Sequence, residues 1–164
     1  MRQKIQQRKS EGFTIIEVMI VLAIAGLIIL IVLLAVPALQ RNSRNTQRKD
    51  AASQILTSVS NNISNNNGTL PANLAALKLA IVDYKPGFYP TANVYYGSST
   101  PTVASSVGVA GNASTVGTEN VIYLKGYTCG ANNAPTTTGA SSRSYVVVYA
   151  VESGSSVAEQ CIGN

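Results

Sequence analysis

Residues 13–39 read FTIIEVMIVLAIAGLIILIVLLAVPAL, and no other stretch constrains the fold as tightly. Glu17 is the only charged residue in it, and none of the twenty-two residues from 18 to 39 carries a charge. As a helix those residues would extend about 33 Å, enough to cross the hydrocarbon core of a bilayer. Hydropathy alone predicts a single membrane anchor. A carboxylate near the start of such a span is costly in lipid, and by default it marks a functional group whose partner lies elsewhere.

The residues around the start of the span narrow the reading. A short leader with Arg2, Lys4, Arg8 and Lys9 ends in Gly12; Phe13 and Thr14 follow, and Glu17 stands four residues beyond Phe13. GFTIIEVMIVLAIAG resembles the signal and N-terminal helix of the type IV pilins and of their relatives, the type II secretion pseudopilins. The close match runs from residue 11 to about residue 40. The resemblance implies that a prepilin peptidase cuts between Gly12 and Phe13 and that Phe13 becomes an N-methylated N-terminus. It also implies that Glu17, fifth in the mature chain, serves assembly by pairing with the Phe13 amine of another subunit. The implied partners are other copies in a homo-oligomeric helical filament, the prepilin peptidase and the inner-membrane pilus assembly machinery. Before assembly the chain would sit in the cytoplasmic membrane, leader in the cytoplasm and head outside; afterwards it would be part of a surface filament. Two positions depart from the family pattern. Glu11 stands where lysine is more common, and Pro37 follows Gly26 by eleven residues, nearly one helical turn more than in many pilins.

Much of the formal charge of +5 belongs to the leader. Residues 1–12 hold four basic residues and one acid, so the remainder carries +2, and nothing in that balance indicates a specific nucleic-acid partner. Charge leaves the orientation open, because Arg41, Arg44, Arg48 and Lys49 just past the span match the leader's four. Cys129 and Cys161 have no CxxC neighbour and the chain has no histidine, which argues against zinc. In an exported domain the two cysteines read as a disulfide, and this too favours the C-terminal part outside.

Beyond the span the apolar period changes but stays helical. Ala52, Ile55, Leu56, Val59 and Ile63 form one stripe against a polar face, a seat for a sheet. The helix fades in NNISNNNGTLP, giving one helix of about fifty residues. Pro37 predicts a bend over residues 33–37, or else marks where the helix leaves the membrane. PANLAALKLAIVD suggests a short helix with Pro71 at its first turn. The aromatics Tyr84, Phe88, Tyr89, Tyr95 and Tyr96 are expected to cover the core of a small domain. Residues 97–120 read as a loop with at most one loose strand. NVIYLKGYT and SYVVVYAVE are strand candidates for an antiparallel pair, joined by a turn-rich connector.

The expected fold is therefore α+β, a long N-terminal helix packed on a small antiparallel sheet. The expected divisions are a leader at 1–12, a membrane and assembly half of the helix at 13–39, an amphipathic half at 40–66, and a β head at 67–164. Enzyme chemistry lacks an inventory. There is no histidine base, no GxSxG elbow and no phosphate-binding loop, and Glu17, Asp50, Asp83, Glu119, Glu152 and Glu159 are scattered singly. No catalytic residue, cofactor or metal is expected. Three matches to the N-glycosylation pattern, at Asn62, Asn67 and Asn112, are what asparagine-rich loops produce by chance. The expected function is a pilus subunit for adhesion, motility or DNA uptake. The alternatives are a type II secretion pseudopilin and a surface-binding module on a passive anchor.

Overall fold

The apolar run and the amphipathic stripe form a single helix in the computed structural model, which describes residues 12–81, 88–103 and 114–163. This helix, α1 (Ile15–Asn65), is 51 residues long and continues through Pro37. Proline removes one backbone donor there, but the helix is not interrupted. Contacts divide the chain into two units, one ending at Gln40 and one beginning at Arg41. In the first unit α1 is long and apolar enough to cross a membrane. Every large apolar side chain from Phe13 to Leu39 is exposed there, Phe13 at 87% and Leu34 at 75%.

In the second unit α1 has a partner. Ala51, Ala52, Ile55 and Val59 are buried in one core with strand residues, and Leu56 and Ile63 pack at its margin. The helix ends where Asn67 and Gly68 take positive φ (52° and 78°), and the Gly68 N–H returns to the Ile63 carbonyl at 2.8 Å. That bond satisfies a carbonyl the helix would otherwise leave open. A short helix, α2 (Leu74–Ala80), follows. Its cap is Asn73, whose side chain accepts from the Ala76 N–H at 2.9 Å, so Pro71 lies outside the first turn where the sequence had placed it.

Among the described residues the unit also holds eight strands: β1 (Val94–Gly97), β2 (Thr102–Val103), β3 (Thr115–Val116), β4 (Val121–Lys125), β5 (Thr128–Cys129), β6 (Pro135–Thr136), β7 (Tyr145–Ser153) and β8 (Ser156–Gly163). The main sheet has the order β1-β4-β7-β8. β4 and β7 are antiparallel, as expected, and β8 pairs antiparallel with β7, while β1 adds to β4 in parallel and makes the sheet mixed. Residues 97–120 contribute β2 and β3, which pair with each other in parallel, and residues 104–113 lie outside the description. The C-terminal residues, for which the sequence suggests no strand, form the whole of β8.

β7 explains the continuous apolar run in SYVVVYAVE. Tyr145, Val147 and Tyr149 share a core with α1, Val121 and Tyr123. The alternate residues Val146, Val148 and Ala150 belong to a second core with Ile122, Leu124, Val116 and Cys161. A strand covered on both faces has no polar side to alternate with. Among the aromatics, Tyr89 is fully buried and meets Phe88 edge-on with centroids 5.2 Å apart. Tyr84 lies outside the described residues. Cys161 sits in the second core, and its bond to Cys129, with an S–S distance of 2.02 Å, fastens β5 and its hairpin over that face. Closing a loop with a sequence separation of 32 contributes about 3–4 kcal/mol in the chain-entropy account.

A buried ion cluster seats α1 on the end of β7. Arg44 grips Glu152 with two bonds, Nε to Oε1 at 2.8 Å and Nη2 to Oε2 at 2.6 Å. Arg48, only 1% exposed, adds Nη1 to Oε1 at 2.8 Å and donates Nε to the Thr118 carbonyl at 3.0 Å. Asn45 pairs with the Glu152 backbone in both directions at 2.9 Å, and the Arg48 guanidinium lies 4.7 Å from the Phe88 ring centroid. Hydrogen bonds from Arg44, with those and the charge of Arg48, hold the Glu152 carboxyl near 2 against the opposing effect of burial. A carboxyl held low in the folded state stabilises it fully above its ordinary value, and loses that effect as the pH falls through the folded value. The denaturation midpoint of the intact chain should therefore drop between pH 4.5 and about 2. Glu152→Gln should lower the midpoint at neutral pH and flatten its dependence over that window. Removing the carboxylate takes from buried Arg48 its nearer counter-ion, leaving Glu119 at 3.9 Å, at a cost of up to about 3 kcal/mol. Equal midpoints for both proteins at neutral pH would contradict this account.

Candidate functional site

Gly12, Phe13 and Thr14 lie outside α1 and are exposed. The helix begins at Ile15 because Thr14 caps it. The Thr14 hydroxyl oxygen accepts from the Glu17 backbone N–H at 3.3 Å. In return the Glu17 carboxylate accepts through Oε2 from the Thr14 N–H at 2.9 Å and from the Thr14 hydroxyl at 2.6 Å. Two donors of the first turn are satisfied reciprocally, which is a capping box. The carboxylate also favours the positive end of the helix dipole. Both bonds to Thr14 use Oε2, and Glu17 Oε1 has no partner among the described residues.

Glu17 thus has a neighbour within its own chain, Thr14, besides the amine that the family resemblance assigns to it. The signal for this neighbour is present in the sequence, because Thr14-Ile15-Ile16-Glu17 has the T-x-x-E spacing of a capping box just before an apolar run.

Around this start the surface is apolar. Phe13, Val18, Ile20, Val21 and Leu22 line, with Glu17, a groove of about 480 Å³, and Glu17 is the one charged group among the described residues that line it. The arrangement can do two things chemically. It offers a carboxylate oxygen to a donor from outside the helix, and it offers a continuous apolar surface to lipid or to another apolar helix. No group of three or more His, Cys, Asp or Glu suited to a metal occurs among the described residues.

The structure brings Gly12, Phe13 and Glu17 together within the first unit. Cys129 and Cys161 belong to the second, where they brace the sheet. Residues 7–33 match the family model of the prokaryotic N-terminal methylation motif, a stretch that contains the capping box and most of the apolar run. No curated protein and no solved structure matches the chain.

Proposed function

We propose, from the premise that this chain carries the prepilin-type cleavage and methylation motif of the type IV pilin and pseudopilin family, that it is the structural subunit of a type IV pilus. Proteins of that family are structural, and the motif implies processing by a prepilin peptidase. In this reading residues 1–12 are a cytoplasmic leader, residues 13–39 span the membrane and later line the filament core, residues 40–66 seat the head, and residues 67–164 complete it. The peptidase cuts between Gly12 and Phe13, and Phe13 is methylated at its new amine. The assembly machinery of the inner membrane then moves the subunit into a surface filament used in adhesion, motility or DNA uptake.

One observation carries this reading: an uninterrupted exposed apolar helix surface whose only charge, Glu17, stands beside the matched junction. Cleavage places a cationic amine on Phe13. In the interior of a helical bundle neither that amine nor the carboxylate is tolerated alone, since an unpaired buried charge is severely penalised. Pairing the Phe13 amine of one subunit with Glu17 of another removes both penalties and sets the axial stagger. Apolar contacts, which have no direction, supply cohesion against water. The disulfide, Cys129–Cys161, favours a pilus subunit over a pseudopilin, because the pseudopilins that this chain resembles more often lack such a pair. A passive anchor would need neither the junction nor Glu17.

Intact mass of the protein sheared from cells should correspond to a chain beginning at Phe13 with one added methyl group. A mass retaining residues 1–12 would sink the reading. Glu17→Ala should insert and be cleaved normally, because the Thr14 hydroxyl still accepts from the backbone N–H of residue 17. It should build few or no filaments. Filaments of normal number and pitch from that variant would remove Glu17 from the register and leave helix packing alone to set it.

A further inference from the structure

Peptidases bind the backbone they cut in an extended form, since the peptide bond must meet both the attacking water and the groups that polarise its carbonyl. A bond inside a helical turn is shielded by neighbouring side chains and constrained by the turn. The bond joining Gly12 to Phe13 lies two residues before α1, in exposed non-helical backbone. Its position is set by where the helix starts, and the helix start is set by Thr14. We infer that Thr14 is a positioning residue for leader removal: its capping box with Glu17 stops α1 at Ile15 and keeps the scissile bond out of the helix. The inference rests on the reading that this chain is a prepilin peptidase substrate, which the motif match across residues 7–33 supports independently of the cap.

The sequence supplies what would happen without the cap. The nearest upstream side chain able to cap a helix is Ser10, followed by Glu11, an acid suited to the first turn. A helix beginning there would enclose Gly12 and Phe13 in its first turn. Gly12 opposes that extension, because glycine inside a helix is unfavourable relative to alanine. Gly12 and Thr14 therefore act together against the same event. The two residues differ in which bonds they supply. Glu17→Ala loses both bonds that its carboxylate accepts but keeps the N-cap bond from residue 17 to the Thr14 hydroxyl, whereas Thr14→Ala loses that N-cap bond and the hydroxyl's bond to the carboxylate and keeps only the backbone N–H bond to Glu17.

The hydrolysis balances simply. Water adds its hydroxyl to the Gly12 carbonyl carbon, the bond to the Phe13 nitrogen breaks, and that nitrogen leaves as an amine that takes up a proton at neutral pH. Thr14 touches none of these atoms in the proposal.

The test follows leader removal in full-length chains in membranes with the prepilin peptidase, by pulse-chase and gel mobility. Thr14→Ala should slow cleavage about fivefold, the factor that corresponds to a typical N-cap contribution, while Thr14→Ser should cleave at the wild-type rate. A second substitution separates helix start from direct recognition of the hydroxyl. Ile15→Pro puts proline at the first helical position, where it is tolerated and biases the residue before it away from helix. The double variant Thr14→Ala, Ile15→Pro should recover the wild-type rate. Unchanged cleavage of Thr14→Ala overturns the inference, and so does a slow Thr14→Ala that Ile15→Pro fails to rescue. A wild-type chain that keeps its leader overturns the proposed function instead, so the two failures are distinct.

Discussion

An apolar helix surface with no partner among the described residues is the constraint on which the rest depends. From Phe13 to Leu39 every large side chain is exposed, and each Leu, Ile or Val moved from water into an apolar setting gains about 1.5–3 kcal/mol. Exposure of this segment to water is therefore unfavourable. In the proposed reading its surroundings are lipid before assembly and other copies of the helix afterwards, and the hydrophobic effect scarcely distinguishes the two, because lipid tails are as apolar as leucine. In the proposed assembly that effect holds a finished filament together against water but does not draw a subunit out of the membrane. That step needs close packing, a specific polar pair and work from outside the chain.

Where the same helix does find an internal partner, chemistry changes with it. From Arg41 onward the apolar residues narrow to one stripe, and that stripe is buried under the sheet. The ion cluster of Arg44, Arg48 and Glu152 fixes where the stripe sits, since bidentate charge-assisted bonds are directional in a way apolar contacts are not. On the far side of the sheet, a second core and the disulfide hold the covering loops. A domain of this size buries little surface, and covering both faces of a four-stranded sheet makes the most of it. Glycine at 163 follows from that packing, because a Cβ there would come within 2.5 Å of Val146.

Much of this was legible from residues alone, and the reasons for the exceptions are physical. The length of α1 and its stripe follow from periodicity, and β4 and β7 from their density of β-branched and tyrosine residues, and both signals are local. β8 was not readable, because SSVAEQCIGN has neither the β-branched density nor the alternation of a strand; it is held by eight register partners on β7. β1 joins in parallel through a crossover that no local pattern encodes. Arg48 on an amphipathic helix reads as solvated, and nothing nearby in sequence announces that its partner is Glu152 on β7. At the proposed junction, a family resemblance singles out Gly12, Phe13 and Glu17, while the capping bond of Thr14 follows from the T-x-x-E spacing.

The central claim is that residues 13–39 of one subunit are buried against the same residues of others in the assembled state. Photo-crosslinking from a benzophenone side chain at Leu27, midway along the exposed run, tests it most directly. Purified filaments should yield covalent ladders of subunits. In membranes before assembly, the same probe should label lipid and give monomers. Intact filaments in which Leu27 yields no subunit-to-subunit product would contradict the claim.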